Sequence, residues 1–267
     1  MPLALPRLQP LNPQNLPEAI YRAYSALAST LPLDGEVGLG GKLLYAGEIV
    51  GEGRQLLYAA NIAGIASLAA SADPAVQRQA IRDGVIDFLV TSLEEALRIL
   101  KNEIRKRQMV SVGVGIAPHI LVEQMLDRGV LPDLLFTGSK IGSNGDERPM
   151  WAEKLVSQGA LPIAGAVDGT TQPDAYVRWS VDRDFARWLP RLDKVAEESL
   201  PSDDWLRQRW LRLAPRYLGR LAQREHGVAL AGDEVIRLRS LVLELLAQHS
   251  EGGGSLPVVH INGVPVG

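Results

Sequence analysis

The 267-residue sequence contains no cysteine, which excludes disulfide bridges, thiolate metal sites and a cysteine nucleophile. Aromatic residues make up only 5% and the formal net charge is -3. This balance gives no reason to expect nucleic acid or an anionic membrane as a partner. The most apolar window, residues 56–72, is interrupted by Asn61, Gly64 and Ser67 and falls short of the roughly 20 apolar residues that a membrane span needs. The proline-rich N-terminus lacks the apolar region of a secretion signal, so we expect a cytoplasmic protein.

Apolar runs and amphipathic segments alternate along residues 56–138. Short apolar runs separated by longer amphipathic segments are typical of βαβ units and a parallel sheet. Within this stretch the pattern predicts LLYAANIAG as a strand and IAGIASLAASA as the helix after it. The sequence therefore predicts an α/β fold with a Rossmann-like parallel sheet as its core.

Several helix ends are predicted from local signals in the same stretch. Asp73 is a predicted N-cap that Pro74 follows, and the segment from Ser92 to Glu95 has the form of a capping box. Gly84 and Gly129 each follow a predicted helix, where a left-handed C-cap is expected.

Glycines are frequent just before this stretch. We predict that residues 42–49 and 55–60 pair as strands across the segment VGEG, whose glycines then serve turn geometry.

The C-terminal part is predicted to be helical over residues 182–249. Its tryptophans and arginines are interleaved with acids and match no nucleic-acid-binding motif, so they predict packing and a solvated surface. Asn262 and Gly263 predict a hairpin turn in the tail, which docks on another subunit or stays flexible. The predicted regions are an N-terminal extension with a helix (1–40), the α/β core (41–180), the helical region (181–250) and a tail (251–267).

Gly113 and Gly115 form the most nucleotide-like local pattern, since they stand between a predicted strand and a predicted helix. Free backbone N–H groups at the start of that helix would accept an anion, although a tight turn without a ligand explains the glycines equally well. His119 lies in the first turn of the helix and is a candidate acid or base.

The loops over residues 138–149 and 168–174 are also candidate positions, because loops at the carboxyl ends of parallel strands carry ligand sites. Lys140 is a candidate base next to a serine, and Asp146 and Asp168 are candidates for acid–base work if the two loops meet. The histidines have no metal-ligand spacing, so we predict no metal site.

Three sequence words in residues 56–138 resemble the NAD-binding core domain of urocanase (urocanate hydratase). They are TSLEEAL, the strand and glycine turn VSVGVGIAPHI, and RGVLPD, in that order. The resemblance implies a Rossmann-like core with NAD as the cofactor, held by Asn61, Gly64, Gly113, Gly115 and Thr137.

At other positions this sequence differs from what the resemblance to urocanase would lead one to expect. The glycine-rich turn that cradles NAD would correspond to residues 60–64, where Ala60 and Ala63 replace glycines and only Gly64 remains. The family's active-site cysteine has no counterpart in this chain. Urocanate hydration itself is therefore not expected.

Two functions follow from these observations. The first is an α/β protein that binds a small anionic ligand or dinucleotide at the carboxyl ends of its strands, with hydratase or lyase chemistry as an extension. The second is a non-catalytic binding or assembly module that has lost the NAD site. In both cases the C-terminal helices and the tail predict a homo-oligomer.

Overall fold

The computed structural model describes residues 16–31, 38–138, 149–163, 175–250 and 255–266. These residues form two sheets with helices around them. The first sheet has six parallel strands in the order β3-β4-β2-β1-β5-β6. Its strands are β1 (Leu43–Glu48), β2 (Ala66–Ala70), β3 (Phe88–Val90), β4 (Ser111–Val114), β5 (Leu134–Leu135) and β6 (Leu161–Pro162).

Helices cover both faces of the parallel sheet, as in a Rossmann-like fold. One face is packed by α2 (Gly51–Ala63) and α3 (Pro74–Arg82), and α1 (Leu16–Thr30) packs on the outer side of α2. The other face is packed by α4 (Leu93–Arg105), α5 (Pro118–Asp127) and α6 (Met150–Ser157). The predicted α/β class is thereby confirmed. None of the helices in the described ranges is long and apolar enough to cross a membrane.

The predicted order of strand and helix over residues 55–72 is wrong. Residues 55–60 belong to α2, and the alanine-rich segment is the central strand β2, which is buried along its whole length. Helix α2 is buried nearly all round because it lies between the sheet and the helices on its outer side. Such a helix has a continuous apolar sequence, which periodicity does not distinguish from a strand.

The predicted helix ends are confirmed. The Asp73 carboxylate accepts a hydrogen bond from the Ala75 N–H at 2.7 Å, and the Ser92 hydroxyl accepts one from the Glu95 N–H at 3.3 Å. Gly84 and Gly129 have φ angles of 65° and 63°, as a left-handed C-cap requires.

The C-terminal region contains helices as predicted, but the prediction of helix over the whole of residues 182–249 is wrong at residues 225–230, which form a strand of a second, four-stranded antiparallel sheet. Its helices are α7 (Leu189–Ser199), α8 (Trp205–Leu218) and α9 (Gly232–Ser250). Its strands, in the order β10-β9-β7-β8, are β7 (Ala175–Val181), β8 (Glu225–Leu230), β9 (Val259–Ile261) and β10 (Val264–Val266). The tail therefore forms the predicted hairpin, and it pairs with β7 of its own chain.

One hydrophobic core joins the two sheets through α2 and α8. The Arg209 side chain on α8 is buried, and its Nε donates a hydrogen bond of 2.9 Å to the Ile62 carbonyl near the end of α2. A cation at a helix C-terminus also interacts favourably with the helix dipole. The position of α2, and hence of the turn that precedes it, is therefore held from both of its sides.

Candidate functional site

The carboxyl edge of the parallel sheet is the place where this fold offers a ligand site. The chain leaves the neighbouring strands β1 and β5 towards opposite sides of the sheet. The strand after β1 is β2, on one side, and the strand after β5 is β6, on the other. Helices α2 and α6, which follow these strands, lie on opposite faces. A crevice outside the strand ends is expected at such a switch point.

Three glycines shape the turn between β1 and α2. Gly47 and Gly51 have φ angles of 75° and 53°, which favour glycine. A Cβ on Gly53 would lie 2.0 Å from the Glu48 carbonyl oxygen and 2.6 Å from that of Ala46, so α2 begins in direct contact with the end of the strand. At Gly51, by contrast, no described atom lies within 4 Å of the Cβ position, which leaves the backbone open to a ligand.

The first turn of α2 directs its backbone N–H groups towards the carboxyl edge of the sheet. No side chain among the described residues hydrogen-bonds to these groups from the N-cap position, Val50. Backbone N–H groups at a helix start bind anions. Glu48 and Glu52 bring acidic groups to the same turn, which favours a ligand that also offers hydroxyl groups.

The turn between β4 and α5 lies two strands away at the same edge. Gly115 follows the end of β4 and its N–H donates to the Val90 carbonyl at 2.8 Å. The N-cap of α5, Ala117, makes no side-chain hydrogen bond, and the first turn contains no acid. The start of α5 therefore lacks the acidic residues found at the start of α2, and it suits an anionic ligand better than the start of α2 does.

Gly113 lies inside β4 rather than in the turn. Its Cβ would meet the Ile86 side chain at 2.7 Å and the Ile49 side chain at 3.0 Å. The absence of a side chain at Gly113 thus serves packing between β4 and its neighbours.

Tyr45 lies beneath the carboxyl edge of the sheet and links β1 to the start of α5. It lies on β1, is buried, and its hydroxyl is 3.5 Å from the Pro118 carbonyl at the start of α5. Burial raises the pKa of the Tyr45 hydroxyl, and the negative charge of Glu48 raises it further. The hydroxyl therefore stays protonated and acts as a hydrogen-bond donor.

Asn61 and Gly64 lie at the opposite, amino-terminal edge of the sheet. Asn61 is buried in α2, where its Nδ2 donates to the Val85 carbonyl at 3.2 Å, and Gly64 is the left-handed C-cap of that helix. Residues 60–64 therefore do not form the predicted turn from a strand into a helix, because this segment ends a helix and leads into a strand. The alanines Ala60 and Ala63 are core residues and obstruct no ligand at the carboxyl edge.

The remaining candidates divide into two groups. Thr137 follows β5 at the carboxyl edge and is half-buried, and His119 is exposed in the first turn of α5. The His119 imidazole forms no hydrogen bond within the part of the chain that the structure describes. Lys140, Asp146 and Asp168 lie outside the described residues, so their predicted role stays a prediction.

Sequence reasoning missed the turn from Gly47 to Gly53 as a candidate site. Its signal was present, since Gly47, Gly51 and Gly53 span the end of the correctly predicted strand and the start of the helix that follows it. The turn was assigned to a hairpin because the buried helix after it was taken for a second strand.

The sheet order, the glycine turn and the uncapped helix starts define a Rossmann-like α/β protein. The family model of the urocanase Rossmann-like domain matches residues 25–139. This match extends from α1 to the end of β5, so the resemblance to urocanase is confirmed for that segment. The C-terminal helices and the antiparallel sheet lie outside it.

Proposed function

We propose that this protein binds a small anionic or dinucleotide ligand at the carboxyl edge of its parallel sheet. The observation that carries the proposal is the β1–α2 turn, where Gly51 leaves the backbone open and Gly53 brings the helix start against the strand. The three glycines supply a tight turn, close approach to a phosphate, and close helix–strand packing, which are the three tasks in a dinucleotide-binding turn.

The chemistry of the turn fits NAD, the cofactor that the urocanase-like segment implies. The backbone around Gly51 would hold the pyrophosphate, and the exposed Glu48 carboxylate would accept a hydrogen bond from a ribose hydroxyl. NAD bound there would supply an electrophilic nicotinamide ring. Ala60 and Ala63, which replace glycines of the family's NAD turn, lie at the other edge of the sheet and so leave this site unobstructed.

Hydratase or lyase chemistry is the catalytic extension of this proposal. Its support is the family match together with Thr137, which lies at the carboxyl edge directly before the segment that holds Lys140 and Asp146. The candidate acid and base groups are these two residues with His119 and Asp168.

A thermal-shift screen with NAD, NADH, nucleotides and small carboxylates tests ligand binding. A ligand at 100 times its Kd should stabilise the folded chain by roughly 2.7 kcal/mol, which raises Tm by several degrees. The Gly51→Ala substitution should abolish the shift, because its methyl group enters the open space above the turn.

Gly84→Ala is the matched control for this substitution. Gly84 has a similar φ of 65° and an equally open Cβ position, but it follows α3 at the amino-terminal edge. Both variants carry the same backbone strain, so only Gly51→Ala should lose the ligand response. If both variants respond like the unmodified chain, the ligand does not bind at the β1–α2 turn.

The second candidate function is a non-catalytic binding or assembly module. What favours it is that His119, the described candidate acid or base, has no hydrogen-bonded carboxylate or hydroxyl beside it within the described ranges. If no nucleotide or carboxylate moves the thermal transition, this alternative is preferred.

A further inference from the structure

The segment over residues 205–224 carries positive charge without any acid. It contains six arginines and no aspartate, glutamate or lysine. Two of the arginines are used within the fold, since Arg207 binds the Glu234 carboxylate and Arg209 binds a backbone carbonyl of α2. The remaining four are exposed, and we call them the arginine row; they are Arg212, Arg216, Arg220 and Arg224. The acids that alternate with arginines elsewhere in the C-terminal region therefore lie outside this segment.

The exposed side chains of α8 lie on a single line. They are Trp205, Arg212 and Arg216, and every other position of the helix is buried or half-buried because α1, α2, α7 and β8 pack around it. Seven residues make just under two turns and eleven make just over three, so these three side chains lie almost directly above one another. Arg220 and Arg224 continue at the same interval of four residues through the short helical turn after α8. The surface is therefore one narrow row of cations with an indole ring at its start.

The arginine row has few partners in its own chain. None of its four guanidinium groups forms an ion pair or a hydrogen bond within the described ranges. Arg216 lies over the Tyr217 ring, 5.6 Å from its centroid. Arg220 lies near the Asp83 carboxylate, which is already paired with Arg54. The positive charge of the row is thus largely uncompensated.

On two other helices, exposed arginines pair with an acid one turn away. Arg22 pairs with Glu18 on α1, and Arg98 pairs with Glu94 on α4. In the arginine row the charge one turn away is another arginine, and like charges at this spacing destabilise a helix. A solvated helix face requires no such repulsion, whereas a bound polyanion removes it.

The shape of the row decides which polyanion fits. A single line of exposed positions between packed elements contacts a linear chain along its whole length, but contacts a flat membrane surface only along one line. Neighbouring arginines on α8 are about 6 Å apart along the axis, which is comparable to the interval between successive phosphates of a single nucleic-acid strand. The planar guanidinium group binds phosphate through two parallel hydrogen bonds.

Trp205 distinguishes a nucleic-acid strand from an acidic peptide. Its indole is 53% exposed, although tryptophan is mostly buried in folded proteins. Proteins that bind single strands combine a line of positive charge with exposed aromatic rings on which bases stack. An acidic peptide offers carboxylates to the arginines but no base to the indole.

We propose that the arginine row and Trp205 bind a single strand of nucleic acid, with the phosphates on the arginines and a base on the indole ring. The formal net charge of -3 does not oppose this, because the acids lie outside the row. The row also lies outside the segment that matches the urocanase family model. The proposal does not depend on a ligand at the carboxyl edge of the sheet.

Fluorescence anisotropy of a labelled dT oligonucleotide, titrated with the full chain at several salt concentrations, tests the proposal. The logarithm of the binding constant should fall linearly with the logarithm of the salt concentration. The double variant R212Q/R216Q should weaken binding at low salt by about tenfold or more. It should also reduce the salt slope by about 1.4, because each phosphate contact to a single strand contributes about 0.7. The variant R212K/R216K keeps both charges and should keep the slope.

Lys101→Gln combined with Arg105→Gln is the matched control. It also removes two exposed positive charges one turn apart, but on α4, at the opposite face of the parallel sheet. Its affinity and its salt slope should equal those of the unmodified chain. Trp205→Ala should weaken binding by about fivefold or more without changing the slope, since stacking involves no phosphate. Far-UV circular dichroism checks that each variant is folded.

Three results would overturn the proposal. The first is that the unmodified chain does not bind the oligonucleotide at low salt. The second is that the control on α4 loses as much affinity as R212Q/R216Q. The third is that a poly-glutamate peptide binds as tightly as the oligonucleotide, because the row would then recognise acidic protein.

Discussion

Arg54 and Asp83 illustrate how single residues fasten the helices on one face of the sheet. The Arg54 guanidinium at the start of α2 forms an ion pair with the Asp83 carboxylate at the end of α3. Gln79 donates a second hydrogen bond to the same carboxylate at 2.7 Å. Arg54 also lies over the Tyr58 ring, 5.9 Å from its centroid. The helix that carries the candidate ligand turn is thus tied to its neighbour by charge.

The Asp83 carboxylate predicts a pH dependence of stability. Burial acts to raise its pKa, but the hydrogen bonds from Gln79 and Arg54 lower it by more, so the pKa lies below the ordinary 3.8. A depressed pKa stabilises the folded state above the ordinary value, and this contribution is lost as the pH falls through the folded-state pKa. Asp83→Asn should therefore lose stability at neutral pH and show a shallower decline below about pH 4, measured by urea unfolding.

Asp127→Asn is the control for this prediction. Asp127 is an exposed carboxylate at the end of α5 with no ion-pair partner within the described residues. Its removal should change the free energy of unfolding at neutral pH by less than about 0.5 kcal/mol. Equal slopes in the unmodified chain and Asp83→Asn would show that the ion pair does not carry the effect.

At the scale of elements, the helix starts and stops were predictable because they depend on neighbours in sequence. Asp73, Ser92 and the glycine caps satisfy backbone groups within a few residues of themselves. The identity of α2 and β2 was not predictable in this way. Leu56–Ala63 is apolar on every side because two other layers bury it, and those layers are remote in sequence.

Gly53 predicts a specific packing cost at the junction between β1 and α2. Gly53→Ala should reduce the free energy of unfolding by about 1–3 kcal/mol, because its Cβ overlaps two carbonyl oxygens that a small movement does not clear. Urea unfolding measures the change.

Gly232→Ala provides the comparison, since Gly232 starts α9 and its Cβ would meet no described atom within 4 Å. It should change stability by less than about 0.5 kcal/mol. Similar effects of the two substitutions would contradict the close contact at Gly53.

At the scale of the whole molecule, the C-terminal tail supplies two strands, β9 and β10, of the second sheet of its own chain. Strand β9 pairs with β7. Asn262 forms two hydrogen bonds with the backbone of Arg178. Its N–H donates to the Arg178 carbonyl at 2.8 Å, and its Oδ1 accepts from the Arg178 N–H at 2.9 Å. Residues 255–266 thus pack within their own chain, in contrast to the two predicted alternatives, which were docking on another subunit and flexibility.

Because the tail hairpin packs on its own chain, two substitutions within it should reduce the free energy of unfolding by different amounts. Ile261→Ala should destabilise the protein by about 2–4 kcal/mol, because Ile261 is fully buried. Val264→Ala should cost less than about 0.5 kcal/mol, because Val264 is 50% exposed. Thermal or urea unfolding compares the two. If they are equally destabilising, or equally neutral, the hairpin does not pack as described.

The sequence alone determined the α/β class, most helix ends, the hairpin turn and the resemblance to urocanase. These follow from periodicity and from contacts between residues close in the chain. Only the tertiary structure decided that the turn from Gly47 to Gly53 lies at the carboxyl edge of the sheet and that Asn61 and Gly64 lie at the opposite edge. The reason is physical: which end of a buried strand or helix a residue occupies depends on the layers packed around it, and those layers come from distant parts of the chain.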